Sequence, residues 1–562
     1  MTTIAYGAGR RAWGTLPRIR AWLAGVHPAK LLVPAILVQW LVTLGLALTV
    51  RHNGWLYYQG GDQLWYYGSG WLLAHGTLPY PLVGPLWPAL LAPLAGIAGP
   101  VLVPALPAIV LVDVLVLLPV ALLCVYGIAQ QIGGRLFAYW ATFLWLAVPF
   151  IGIKFTDAGY HQRYTELTLP QSFGLTAMAD FPSMVAVLVS VYFAFRALER
   201  RDRVDAAAAG LAAGAAIAIK PSNAIFLAGL VLAYVVRRRW TEAAYIALGL
   251  APALLTLALW KYRGLGYLPL FHAEGAARLS LGAHSQLAAT ADPLHKYLKL
   301  NWHQLHLNLL QLKEHFWSAR VVEWLVVAGL IGLGRRSLTA LLLVGGWFAA
   351  FVVVKGTYVN ASVTDASIFR IMTPAFPAFV LLLAALVYLV PGRRRAPSTV
   401  VRPALQRRTR LGVLAAAGAV FALFPLVLVA SASPLRGPAP RAYQETGLLR
   451  TVDPKLRLTA TVADGRVLLR WNPAGYAGTR VLYRILRSGA PGGGAGCTPV
   501  SHAVDDCELA MDDLGAHAGG RLVDRPGRGT WTYRLGLAAN WLNDPAYGDV
   551  YSVGPPVRAS VR

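Results

Sequence analysis

The chain has 562 residues, 56% hydrophobic and only 14% charged, against about 25% charged in a soluble domain, so a wholly aqueous enzyme is excluded. Lys and Arg number 51 against 25 Asp and Glu, but the arginines lie between apolar runs rather than along one amphipathic face, which excludes nucleic acid as the partner. Three cysteines exclude a disulfide scaffold and a Cys-rich metal cluster.

A bilayer-spanning helix needs about 20 mostly apolar residues. After a basic start over residues 1–30, the sequence predicts a first, uncleaved span at Leu31–Val50. Ten further spans follow near Val101–Ile128, Leu136–Ile153, Pro182–Leu198, Ala206–Ile219, Ala224–Val236, Ala243–Trp260, Val321–Leu333, Leu338–Val354, Met372–Val390 and Leu411–Ala430. With the N-terminus cytoplasmic, Arg135, Arg196–Arg203, Arg237–Arg239, Arg335/Arg336 and Arg393–Arg410 all fall on the inner side, as the positive-inside rule asks. The expected product is a multi-pass protein of the cell (plasma) membrane with an extracytoplasmic C-terminus and three long outer segments, 51–100, 154–181 and 261–320. Long connections of this kind usually carry function.

Residues 432–452 read as a linker. From Asp453 to Arg562 short alternating strands replace spans, in LRLTATV, GRVLLRW, TRVLYRILRS and GTWTYRLGLAAN, a pattern that predicts a β-sandwich. Trp471, Tyr483 and Tyr533 resemble the core aromatics of fibronectin type III domains. Cys497 and Cys507 flank a short stretch of this domain; outside the membrane they are expected to form a disulfide. Cys124, within a span, reads as an apolar filler. The β-domain is expected to cover the membrane part rather than to bind glycan.

Ionisable residues at the outer face are expensive and therefore mark candidate sites. Asp62 stands first, in YYQGGDQLWYYGSGW, on a predicted amphipathic helix with Trp65, Tyr66, Tyr67 and Trp71. Its rings can stack on sugars, although a Trp/Tyr belt at the interface explains most of them. The second outer segment holds Lys154, Asp157, His161, Arg163, Glu166 and Asp180, of which Glu166 and Asp180 are the better candidates to orient an acceptor or a metal. In the third, His303 and His306 stand i,i+3 beside Lys296, Lys299 and His315, but lack carboxylate partners and read as an interfacial helix. Asp113, in mid-span, is expected to be a hydrogen-bonded structural carboxylate. Lys220 lies near the outer end of the fifth span, where an ammonium needs an anion: Asp180 or a lipid phosphate. Arg370 borders the outer face before the tenth span and can grip phosphate with both arms of its guanidinium.

In chain order, Asp62, "GTLPY" (Gly76–Tyr80), "WPALLAP" (Trp87–Pro93), Asp180 opening a span, "GLAAGAAIAIKPSN" with Lys220, and "FRIMTPAFPAFV" with Arg370 resemble the GT-C glycosyltransferases, among them the protein O-mannosyltransferases and lipid A aminoarabinose transferases. The resemblance covers Leu31–Pro391. It implies an α-helical polytopic membrane protein that transfers a sugar from a polyprenyl-phosphate donor at the outer face. The acceptor would be a glycan, lipid or protein hydroxyl, and a divalent metal, magnesium or manganese, stays open as a cofactor. Asp62 would be the base, attacking from the face opposite the phosphate with inversion; Asp180 would join it, Lys220 and Arg370 would bind phosphate, and Trp65 and Tyr66 would stack on sugar. The protein O-mannosyltransferases carry Asp-Glu where this chain has Asp62-Gln63, which weakens a two-carboxylate mechanism from this loop. The absence of a WWDYG motif disfavours transfer to sequon asparagine. Two other readings remain open: a lipid-linked-sugar transporter or flippase, for which no internal repeat appears, and an inactive envelope scaffold of the same shape.

Overall fold

The computed structural model describes residues 21–50, 61–79, 81, 83–99, 102–266, 268, 300–316, 319–358, 361–364, 366–390, 406–434, 451–452, 456–472, 481–488, 498–500, 503–513, 520–539 and 550–562. The helical part runs α1 (Ala29–Thr49), α2 (Gly61–Ala74), α3 (Leu86–Ala98), α4 (Ala105–Gly133), α5 (Arg135–Phe155), α6 (Ala158–Arg163), α7 (Asp180–Arg200), α8 (Arg203–Ile219), α9 (Pro221–Val236) and α10 (Trp240–Leu265). It continues with α11 (Trp302–His315), α12 (Ala319–Arg336), α13 (Leu338–Gly356), α14 (Ser367–Tyr388) and α15 (Arg407–Ser431). Among the described residues, eight helices are long and apolar enough to cross a membrane: α1, α4, α5, α7, α10, α13, α14 and α15. The other three expected spans are present as α8, α9 and α12 but fall short of that standard. α8 has 17 residues, α9 opens with a tight 3₁₀ turn at Pro221–Phe226, and α12 carries Arg320, Glu323, Arg335 and Arg336.

Local chemistry sets where these helices begin and how closely they pack. The Asp202 carboxylate accepts from the Val204 and Asp205 amides at 2.8 and 3.2 Å, capping the N-terminus of α8. Pro221 ends α8 by forcing Lys220 out of the helical region, to φ −139°, ψ 99°. Small residues let α8 and α10 touch backbone to backbone: a Cβ at Gly210 would lie 2.1 Å from the Ile246 carbonyl oxygen, and one at Gly249 would lie 2.4 Å from that of Ala207.

The two ends of the helical body differ chemically. At one end Arg135 donates to the Ala24 carbonyl at 3.1 Å and Arg336 to that of Ile132 at 2.9 Å. There too Arg410 of α15 pairs with Asp202 and Asp205 at 2.8 and 2.9 Å, and Arg196 with Asp205 at 3.1 Å. Burial works against the Asp202 carboxylate, but the Arg410 hydrogen bond and the two amides outweigh it, so its pKa lies below the ordinary value. At the opposite end β1 (Thr77–Leu78) pairs in parallel with β2 (Ser433–Pro434), and Arg263 donates to the Ala430 carbonyl at 2.7 Å. The first outer segment and the exit of the last span therefore share one face, opposite the arginines.

Beyond β2 the described residues form β3 (Thr451–Val452), β4 (Arg457–Ala463), β5 (Arg466–Asn472), β6 (Val481–Ser488), β7 (Thr498–Val500), β8 (Ala503–Asp513), β9 (Gly520–Asp524), β10 (Gly529–Ala539), β11 (Val550–Val553) and β12 (Val557–Val561). One sheet orders β4-β5-β9; the other orders β3-β11-β10-β6-β8-β7, with β12 also paired to β10. Alternation buries Leu458, Val467, Leu469, Ile485, Trp531, Tyr533, Leu535, Ala559 and Val561. Inside, Arg487 pairs with Asp524 at 2.7 Å, and the Tyr533 hydroxyl donates to the same carboxylate at 2.7 Å. Burial, reinforced by that acceptor, pushes the Tyr533 phenol above its ordinary pKa. Cys497 lies outside the described residues, as does the Cys507 side chain, so the expected disulfide falls there. Cys124 is a free, buried thiol.

Candidate active site

Four elements converge at the face shared by the first outer segment and β2. Asp62 sits in the first turn of α2, Asp180 in the first turn of α7, Lys220 at the break after α8, and Arg370 in the first turns of α14. Asp180 gains from that position, because the N-terminal end of a helix dipole favours an anion. The Arg370 Nη2 to Asp62 Oδ2 distance is 2.7 Å, with the two side chains 31% and 29% exposed. The Lys220 ammonium pairs with the Asp180 carboxylate, which is only 2% exposed. Asp180 is thus one of the two anions the sequence offered Lys220. Arg370 also interacts electrostatically with Asp180, so the two pairs form one electrostatic unit.

The positioning machinery was mostly invisible in the sequence. Gln63 is fully buried, and its Oε1 accepts from the Ala177 amide at 2.7 Å. Trp87 Nε1 donates to the carbonyl of the same Ala177 at 3.3 Å. α2 and α3 so hold the amide and the carbonyl of one residue, three positions before Asp180. Gly84 seats the first outer segment on the end of α8: a Cβ there would lie 2.2 Å from the Ala218 carbonyl oxygen and 2.5 Å from that of Ile219, beside Lys220. Gln63 is therefore a neutral strut.

Several buried donors around this unit have no hydrogen-bond acceptor among the described residues: Arg370 Nε, Trp65 Nε1 and Gln63 Nε2. A buried N–H without an acceptor costs on the order of 1–3 kcal/mol, so a cluster of them suits an acceptor-rich ligand. Tyr66 is buried and Trp65 half-buried. Lys355 was not singled out by sequence, yet it is 4% exposed and its ammonium stands 5.8 Å from the centre of the Tyr358 ring. Its helix, α13, packs against both the turn after Lys220 and the start of α14. The signal for it was a lone lysine closing the apolar run FAAFVVVKG.

The remaining candidates of the second outer segment build a clamp between loops. Asp157 caps α6 by accepting from the Tyr160 amide at 2.7 Å and lies 3.3 Å from His315 Nδ1. The Tyr160 hydroxyl donates to the Val363 carbonyl at 2.6 Å, and Arg163 donates to that of Thr364. Glu166 accepts from Gln162 at 3.2 Å, and His161 accompanies them on α6. The Tyr160 amide, with a smaller contribution from His315, holds the Asp157 carboxyl below its ordinary pKa. His303 and His306 lie on α11 as an expected amphipathic helix; Lys296 and Lys299 lie outside the described residues. Among the described residues no three His, Cys, Asp or Glu side chains gather to hold a metal ion.

Asp113 corrects one expectation. It is fully buried, but neither carboxyl oxygen has a hydrogen-bond partner among the described residues. It stands at a widened turn, Asp113–Leu117, within α4, beside Gly174, where a Cβ would come within 2.9 Å of the Asp113 Cβ. Its neighbours there are the glycine and the Phe181 ring, neither of which supplies a side-chain donor.

No protein-family profile matches the chain, and no curated protein sequence does. Among solved structures, it is similar to ArnT from Cupriavidus metallidurans bound to undecaprenyl phosphate, at 15% identity and TM-score 0.42, over 73% of this chain and 77% of that one. It is also similar to the oligosaccharyltransferase of Archaeoglobus fulgidus in the apo form, at 13% identity and TM-score 0.36, over 74% of this chain and 57% of that one.

Proposed function

We propose that the protein is an inverting glycosyltransferase that moves a sugar from a polyprenyl-phosphate donor to a hydroxyl of a glycan, lipid or protein acceptor. The site faces outward and the arginine end faces the cytoplasm. The observation that carries this reading is the half-open Asp62–Arg370 pair, with the buried Arg370 Nε, Trp65 Nε1 and Gln63 Nε2 lacking acceptors among the described residues. A phosphate competes with Asp62 for Arg370 and satisfies the spare Nε–H; Lys220 supplies a second cation once the donor reaches it. Binding the donor thereby frees Asp62 from its ion pair.

The freed Asp62 takes the proton of the acceptor hydroxyl while that oxygen bonds to the anomeric carbon. The bond from that carbon to the phosphate oxygen breaks, and its electron pair leaves on the phosphate, where Arg370 and Lys220 stabilise the charge. Attack opposite the leaving group inverts the centre. Asp180, nearly sealed, holds Lys220 in place, and Trp65 with Tyr66 lines the sugar's side of α2. The loop clamp of Asp157, His161, Arg163 and Glu166 shapes the acceptor's approach, and the β-domain covers the same face.

The test is a panel of polyprenyl-phosphate sugars offered with candidate acceptors to the full chain in lipid nanodiscs. One donor should yield a covalent product with inverted anomeric configuration and free polyprenyl phosphate, and Asp62→Asn should slow the release of both by about 10²–10⁴. Movement of donor across sealed vesicles without a covalent product would overturn the reading.

A further inference from the structure

The β-domain carries a charged surface that its packing does not use. In the sheet β4-β5-β9, alternation turns Leu458, Val467, Leu469 and Asp524 inward, and there Asp524 meets Arg487 and Tyr533. The opposite face exposes Arg457, Arg466, Arg470, Arg521 and Arg525. Arg470 stands directly across from Arg521, and Thr459 of β4 completes that row. Arg466 and Arg525 each lie one residue beyond the Val467–Asp524 pair, so a second pair of arginines follows the first. Along β5, Arg466 and Arg470 are four residues apart, about 14 Å at ~3.4 Å per residue. Between the pairs runs the row Thr461, Leu468 and Val523.

Like charges set opposite each other on a sheet are destabilising. No partner relieves them here: among the described residues no carboxylate pairs with any of the five arginines. Asp464, exposed on the turn between β4 and β5, borders the face without joining one of them. Neighbouring strands lie ~4.8 Å apart, so the two guanidiniums of a row can close on a single anion, whose planar or tetrahedral oxygens suit arginine.

We propose that this face docks a linear acidic glycan, which presents one anion to each arginine pair and its hydroxyls to Thr459 and Thr461. The surface stands on its own residues and does not depend on the transferase reading. Charge and polarity select the occupant. A surface that lies on lipid carries Trp and Tyr among its charges, and the described residues of this face include no aromatic side chain. A protein partner would bury an apolar centre, and the described apolar side chains between the arginine pairs are Leu468, half-buried, and Val523, 51% exposed.

The experiment is equilibrium binding of hyaluronan oligosaccharides, with one carboxylate per disaccharide among hydroxyls, to the full chain in phosphatidylcholine nanodiscs. An oligomer long enough to reach both arginine pairs should bind about tenfold or more tighter than the single disaccharide, and neutral dextran should not bind. Arg521→Glu sets an opposite charge across from Arg470. It should weaken binding about tenfold while leaving thermal unfolding level with wild type or raised. Arg466→Glu should remove the advantage of length, and it decides alone if the first variant does not fold. Arg558→Glu, on the other sheet, should leave binding within about twofold. Equal losses in all three variants, or no gain with length, would reduce the effect to net charge and overturn the docking face. Protection of β5 and β9 amides from exchange in phosphatidylglycerol nanodiscs without glycan would overturn the glycan in favour of the membrane surface.

Discussion

Asp62 and Arg370, far apart along the chain, reach each other at 2.7 Å, each about a third exposed, while Lys220 and Asp180 beside them form a nearly closed pair. The difference assigns different work to the two pairs. A reactant can reach the open pair and exchange its partners; the closed pair keeps its geometry because an unpaired Asp180 would be a carboxylate left in a low-dielectric interior.

Asp62→Asn keeps the shape of the side chain and removes the charge and the proton acceptor. Turnover should fall by about 10²–10⁴. Binding of polyprenyl phosphate should tighten, because Arg370 no longer has a competing carboxylate. Single-turnover rates and equilibrium binding on the same preparation check both halves, and weaker binding would argue that Asp62 helps hold the donor.

Lys220→Met leaves Asp180 buried without its cation, and should cost about 3–5 kcal/mol of stability. Combining it with Asp180→Leu should restore most of that stability but not donor binding. Thermal unfolding in detergent, together with binding of polyprenyl phosphate, completes the double-mutant comparison. Donor binding recovered in the double variant would remove Lys220 from the phosphate site.

Gln63→Ala deprives the Ala177 amide of its acceptor and should cost about 1–3 kcal/mol. It should also slow transfer, since the peptide that leads into Asp180 is no longer held from α2. Gln63→Glu retains an acceptor oxygen and should recover more of the rate than Gln63→Ala. Equal rates in the two variants would show that the strut does not govern the site.

The clamp at Asp157 has a defined pH dependence. Its folded-state pKa is depressed, chiefly by the Tyr160 amide, so its contribution is fully present above the ordinary carboxylate value of about 3.9. It is lost as pH falls through the folded value. The difference in thermal midpoint between wild type and Asp157→Asn should therefore shrink as pH falls from about 5 to below about 4. A difference that grows over that range would reverse the sign and discard the amide as the cause.

Apolar length was enough to place the helices, because a bilayer imposes one coarse rule on every segment expected to cross it. Helices appear at each expected span. The composition break before Asp453 likewise separated strands from helices through alternation alone. Scarcity of acidic residues drew notice to Asp62 and Asp180, since an isolated carboxylate near lipid needs a reason.

Partner choice was another matter. Lys220 could equally have met a lipid phosphate, and nothing local to Arg370 specifies Asp62. Gln63, a departure in a motif, became a strut only through a peptide on another segment, and Lys355 looked like the end of a span. Asp113 was expected to be bonded and has no partner among the described residues. Hydropathy acts residue by residue and survives in the sequence; hydrogen bonds and ion pairs depend on which helix ends meet, which packing between distant segments settles. The low acid count with which the chain announces itself thus marked where to look, and the tertiary structure decided which cation each carboxylate holds.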